Sequence, residues 1–592
     1  MIAFLRWLQS IGLSVLNSIA KTVAFILLLL IVIVVIGLFQ GDGLPSNMVL
    51  ALDLRSPLAD SSNLDFNFTS GPVTVMDVVL ALDAAERDPR VKGVSLRIGS
   101  ANLSIAQAEE IGAALKKFRA SGKFVIAHSQ GFVASGLGDY LTVADANEIW
   151  MQPKSPFTAA GEGGGAFFLR GLLDKLEAKP EIVKRADFKS AADQYMEKTM
   201  TPADRLQLTR LMQSWYDAAT SGAAASRHMT QARIAAAFEA SPQFTENAQA
   251  AGLIDRIGFD DDAQNAALGR AGDGAKMVAM AQFVRVAKQE AEYASGPQIA
   301  LIQASGEIND GAAGGGGLLG GGESIGGDTL SKAIRAAAAD KDIKAIVLRV
   351  DSPGGSVSAS DQILDAVRKA QKAGKPVVVS MGGVAASGGY YISLSANRIV
   401  AEPGTITGSI GVLTGKVSID RTLALAGIGV DTVGVGRNAL YNSEFQPYTP
   451  DQLAALNREA DMIYADFTQK VAAGRKLPLA KVLDIAKGRV WSGADAQGNG
   501  LVDQLGGFWT AADAARKLAG IAPGDRVSFR VFPRQKGFFE AVGDLFGDSS
   551  AGVRAAQGLV TLMNAPPVRA LVGAVNEMPR GGVELRATQL PH

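Results

Sequence analysis

Ser387 stands at the end of an apolar run followed by glycines, PVVVSMGGVAASGGYYI over residues 376–392. Pro376 to Ser380 has the composition of a short strand, the glycines after it predict a turn, and a helix is expected from about Ser387. A serine placed between strand and helix, with Gly388 and Gly389 behind it, lies where backbone N–H groups point outward. The helix dipole there favours negative charge. A nucleophile needs that setting, because its tetrahedral intermediate carries an oxyanion. A strand followed by a helix is also the ordinary grammar of any α/β protein.

A serine nucleophile requires a base, and histidine is the usual one. The chain has three histidines, His128, His228 and His592, and none lies between the last two. His128 aligns with Val379, a strand position, and reads as a core or rim residue. His228 falls in an Ala-rich helical stretch and reads as a surface residue. Lysine becomes the candidate, as in Ser-Lys variants of the mechanism. VKRADFKSAADQY in the first half corresponds to VGRNALYNSEFQPY in the second, so Lys189 stands where the second half has Tyr441 or Leu440. A solvent-facing lysine is the competing reading.

The elements that must position these groups form an internal repeat. RDPRVKGVSLRIGSANLS, a helical stretch to Arg119, and ASGKFVIAHSQGFVASGLGDYL recur as DKDIKAIVLRVDSPGGSVS, a helical stretch to Lys372, and AGKPVVVSMGGVAASGGYYI. ANEIWMQP and ANRIVAEP then follow in the same order. Each copy reads strand, loop, helix, strand, turn, helix, strand. Ile346, Val347 and Leu348 form an unbroken apolar run suited to a strand covered on both faces, and Ile363, Leu364 and Val367 give the next helix one apolar face. Strands alternating with helices predict a mainly parallel sheet, so the fold class is tandem duplicated α/β.

The copies differ where chemistry would occur. Gly136 stands opposite Ser387, and Ser135 is displaced by one residue. Asp351-Ser352-Pro353-Gly354-Gly355 of the second copy is Gly99-Ser100-Ala101-Asn102-Leu103 in the first. A Gly-Gly pair at a strand end frees N–H groups to face a carbonyl. Serine and oxyanion loop thus occur together in the second copy, and the distinctive lysine in the first.

The rest of the chain bounds the alternatives. It has 592 residues, with 47% hydrophobic and 6% aromatic, 58 basic against 58 acidic side chains and no cysteine. Zero net charge gives no reason to expect nucleic acid as a partner. The absence of cysteine excludes a disulfide frame and a thiol nucleophile, and no HExxH-type spacing supports a metal, so no cofactor is expected. Residues 22–39, TVAFILLLLIVIVVIGLF, are uncharged and long enough to span a bilayer. No A-x-A site follows, which argues against a cleaved signal peptide. Arg6 and Lys21 before the span, with Asp42 and Asp53 after it, predict a cytoplasmic N-terminus and the bulk of the chain outside. The expected organisation is an anchor over 1–45, a first repeat over 46–296, a second over 297–525 and an extension over 526–592. Glycine-rich 311–327 reads as a flexible surface loop.

AASGGYY with DSPGG upstream, TGSIGV downstream and FKSA in the other half resembles the signal peptide peptidase A family in its long, duplicated form. The likeness covers roughly residues 46–520 and implies caseinolytic-protease/crotonase-like domains. It implies that Ser387 is the nucleophile, Lys189 the general base and Ser409 the group that orients the lysine. Phe188 replaces the family's usual tyrosine, and DQY replaces an EPF-type ending. Gly388 with Gly354 or Gly355 would supply the oxyanion hole. The resemblance further implies hydrophobic peptide substrates, chiefly cleaved signal peptides, a tetrameric ring, and a bacterial inner membrane location with the catalytic region on the periplasmic side. A neutral lysine base requires burial, since desolvation lowers an ordinary pKa of about 10.4 by about 3–5 units; Lys189 should therefore lie between the copies. A crotonase-type acyl-CoA enzyme and a non-catalytic membrane scaffold are the alternatives.

Overall fold

The computed structural model describes residues 42–61, 73–101, 103–133, 136–292, 296–312, 324–523, 525 and 527–533. The span expected at 22–39, Ser135, residues 313–323 of the glycine-rich stretch, and 534–592 with His592 lie outside the described residues. Among the described residues no helix is long and apolar enough to cross a membrane.

The Val/Ile/Leu runs form two sheets, one per repeat. From one edge, the first runs Arg256–Ile257, Glu148–Met151, Phe124–Ser129, Val91–Ile98, Met48–Asp53, Lys276–Ala279, all parallel. The second runs Val490–Ser492, Ile406–Gly408, Val377–Ala386, Ile343–Ser352, Gln298–Ser305, Ser528–Phe532, and Arg398–Ala401 also pairs with Val377–Ala386. Among the described strands of that sheet only Val490–Ser492 is antiparallel. Its last strand, Ser528–Phe532, carries the unit past residue 525 by pairing with Gln298–Ile302. Crossover helices cover the faces, as parallel connections require. Ser104 and Ser356 cap the equivalent helices Ile105–Ala120 and Val357–Lys372.

The duplication extends to elements that the sequence did not align. Helices Pro202–Arg227 and Pro450–Arg475 each begin with a threonine cap and a proline, and end on a left-handed residue, His228 or Lys476. His228 is thus an exposed helix cap. His128 is buried in its strand, and the register refines its counterpart. Arg97 pairs with His128 as Arg349 pairs with Ser380, so His128 matches Ser380 rather than Val379.

The repeats share one core, with Leu52, Leu96 and Leu115 in the same apolar cluster as Val347, Val378 and Phe508. Arg349 is fully buried in this seam. Its Nη2 and Nε donate to Asp60 at 2.6 and 2.9 Å, and its Nη1 donates to Glu110 at 2.8 Å. A second link is an antiparallel ribbon between strands of different repeats, Lys179–Arg185 with Val412–Ser418, in which Arg185 faces Val412. This ribbon carries residue 189 across to the second repeat.

Candidate active site

The strand leading to Ser387 is longer than the sequence suggests. The glycines expected to form a turn lie within it: Val377–Ala386 is one strand containing a bulge. Val350 pairs with Met381 and Ser352 with Ala385, so Asp351 alone faces Gly382, Gly383 and Val384. A Cβ on Gly382 would come within 2.9 Å of both Asp351 Oδ1 and Asp60 Oδ1, so the bulge needs glycine there. The strand ends at Ser387, which caps helix Gly388–Ser393 at φ 54, ψ −114. That conformation is strained for a residue with a Cβ. In the first repeat Gly136 occupies the same cap at φ 59. The turn is kept there, without the hydroxyl.

Lys189 reaches Ser387 from the first repeat. Its Nζ lies 3.0 Å from Ser387 Oγ, 2.9 Å from Ser409 Oγ and 3.2 Å from the Ser409 carbonyl. The side chain is 7% exposed. Burial pulls its pKa down from the ordinary 10.5 to about 8. A neutral amine has two N–H donors and one lone pair. With both donors on the Ser409 oxygens, the lone pair is left for the Ser387 hydroxyl proton.

Both repeats clamp the lysine. Phe188 N donates to Lys487 O, and a Cβ on Gly488 would fall 2.6 Å from Lys189 N and Cβ. Gln207, on the long first-repeat helix, donates to Phe188 O and accepts from Val490 N. Phe188 packs under the Arg489 guanidinium, 5.2 Å from its ring centroid. In the DQY segment, Asp193 is buried and ion-paired with Lys184 at 2.5 Å.

The loop bearing Gly354 and Gly355 packs against the serine turn. Gly354 and Gly355 have φ +109 and +148; a Cβ on Gly354 would come 2.6 Å from Gly388 N, and one on Gly355 would come 2.1 Å from Ile308 O. Gly354 N donates to Ser352 Oγ, and Ser356 N to Ile308 O. These bonds leave Gly355 N and, at the start of the short helix, Gly388 N unengaged among the described residues. A hydroxyl on a desolvated amine, beside two unengaged N–H groups, has the parts needed for acyl transfer. Among the described residues no group of His, Asp or Glu is disposed to hold a metal ion.

The sequence reading missed Arg349 with Asp60 and Glu110. A charged residue inside an apolar run, LRV here and LRI in the first copy, was the available signal.

The tandem α/β repeats that enclose this site are those of a serine peptidase. Peptidase family S49 matches residues 117–272 and 369–522, and the Clp protease family matches 327–403. "Protease 4" of Salmonella typhi is 31% identical over 99% of this chain and 96% of its own length. "Protease 4" of Haemophilus influenzae is 30% identical over 85% of each chain. "Serine protease SPPA, chloroplastic" of Arabidopsis thaliana is 30% identical over 86% of this chain and 75% of its own. The chain belongs to peptidase family S49, and to its signal peptide peptidase A type.

Proposed function

We propose that the protein is a membrane-anchored endopeptidase with a Ser387–Lys189 dyad that degrades hydrophobic peptides, cleaved signal peptides among them. The observation that carries this reading is the 3.0 Å approach of a buried lysine from one repeat to the strained serine of the other. Lys189 takes the Ser387 proton as Oγ attacks the scissile carbonyl. The oxyanion forms between Gly355 N and Gly388 N, and Ser409 holds the amine with its lone pair towards the serine. The lysine then protonates the leaving amine, and water releases the acyl group.

The apolar stretch at 22–39 would anchor the chain in the bacterial inner membrane with the catalytic region on the periplasmic side, close to such substrates. A homotetrameric ring is supported by the duplication. The ribbon joins 179–185 of the first repeat to 412–418 of the second. Residues 162–168 and 431–437, their equivalents in the opposite repeats, form no such ladder among the described residues. Phe167, Val433 and Val435 are 88%, 92% and 95% exposed in these segments, and a second copy would cover them.

The test is covalent labelling by a serine-reactive fluorophosphonate, read by mass spectrometry alongside hydrolysis of an apolar peptide. Labelling should fall on Ser387 and be lost with hydrolysis in Lys189→Ala. Full hydrolysis by Ser387→Ala would end this reading.

A further inference from the structure

The bulge in the strand that leads to Ser387 turns the Asp351 side chain towards that strand's backbone. Its Oδ1 accepts from Val384 N at 2.9 Å, and the Gly383 backbone faces the same carboxylate. The N–H groups there lose their ladder partners where one residue of strand Ile343–Ser352 faces three of its neighbour. Asp351 therefore closes the gap with its side chain. Toward the C-terminus its chain becomes the loop bearing Gly354 and Gly355. The residues it holds lead, three positions after Val384, to Ser387. One carboxylate thus spans the two segments whose relative placement sets the distance from nucleophile to oxyanion donors. The silent first repeat has Gly99 at this position, and its turn is tied by Ser129 Oγ accepting from Gly131 N. Like Ser387 and the Gly-Gly pair, the carboxylate occurs only in the repeat that carries the site.

We propose that Asp351 is a positioning residue for the peptidase reaction, and that its ionised carboxylate holds the nucleophile strand and the oxyanion loop in register. The proposal rests on Ser387 being the nucleophile.

The carboxylate holds these N–H groups best when ionised, because a charge-assisted hydrogen bond is about twice as strong as a neutral one and protonation removes that charge. Charges around Asp351 act in opposite senses. Across Gly382 it faces Asp60, from the segment after the first strand of the first repeat, and Arg349 lies two positions back on its own strand. Glu110, on helix Ile105–Ala120, shares that arginine, and Glu109 and Glu402 lie beyond Glu110. Burial, then Asp60, raise the Asp351 pKa from 3.8 to about 6, against the pull of the backbone N–H groups and Arg349. The anchor is at full strength at neutral pH and weakens as pH falls through about 6.

Lysine protonation alone gives log kcat/KM a slope of about one below pH 8. Weakening of the anchor adds a second proton, so the slope should steepen towards two below about pH 6. Hydrolysis of the apolar peptide and fluorophosphonate labelling of Ser387 are measured from pH 5 to 9 on the full chain and on Asp351→Asn. The variant is expected to be about tenfold slower at pH 8, the worth of one well-made hydrogen bond. It should also keep a slope of about one throughout. A wild-type slope of one down to pH 5 overturns the proposal without any variant. A uniform loss in Asp351→Asn that keeps the steep limb overturns it as well, because that is what a merely structural residue would give. Failure to label Ser387 in the wild type at pH 8 instead overturns the nucleophile assignment, and this inference with it.

Discussion

Replacing Lys189 by methionine should alter stability by an amount that depends on pH, with a small gain near neutrality that is lost at high pH. Methionine has nearly the same length and no charge. In the folded chain the amine has a pKa of about 8, against 10.5 when solvated. At about 1.36 kcal/mol per pH unit, holding the ammonium in its buried site costs about 3 kcal/mol. Below pH 8 the lysine is protonated in both folded and unfolded chains, and the whole cost is present. Between pH 8 and 10.5 the unfolded chain binds the extra proton, so stability rises with pH across that window. Above 10.5 both forms are neutral and the cost is gone. Against this, the variant loses the contacts to Ser387 and Ser409, about 1 kcal/mol each and independent of pH. The net gain near pH 7 is therefore small, and the decisive quantity is its change with pH. Urea midpoints of the two chains, compared at each pH from 7 to 11, cancel every other titrating group. The advantage of the methionine variant should shrink by about 3 kcal/mol over that range. A difference that stays flat would mean that the folded chain keeps this amine solvated, and the case for a neutral lysine base would fail.

Peptide hydrolysis should rise with pH and reach half its plateau near 8, where Lys189 gives up its proton; a half-point below 6 would point to another base. Ser409→Ala removes one of two acceptors on the amine and should lower kcat about tenfold with KM little changed; an unchanged kcat would remove its orienting role. Gly355→Ala places a Cβ against Ile308 O and should lower kcat by roughly 10²–10³, as loss of an oxyanion donor does. Arg349→Met should destabilise the chain by about 3–5 kcal/mol by stranding Asp60 and Glu110, and the triple change with Asp60→Asn and Glu110→Gln should recover much of that in urea titrations. Val433→Asp with Val435→Asp should lower the mass seen by light scattering; an unaltered mass would exclude this face from assembly.

Ser387 and the glycine pair stood out because the chain carries its own comparison, whereas Lys189 was singled out from other lysines by the resemblance of FKSA to the family's motif. Among the many differences between the two copies, a hydroxyl and two glycines are ones that packing does not explain. The parallel sheets were legible for a local reason, since a strand buried on both faces must be apolar throughout, as Ile346 to Leu348 are. Tertiary structure alone decided what happens between distant segments. Nothing local to VKRADFKSA says that its strand pairs with 412–418, yet that ribbon sets Lys189 against Ser387 and removes its water. The bulge at 382–384 read as a turn because glycines mark both. Only the side chains of Asp351 and Asp60, arriving from other strands, show why glycine is needed inside a strand there. Sequence pattern records the short-range preferences of the backbone, whereas desolvation and register depend on which surfaces meet, and that is settled only when the two repeats dock.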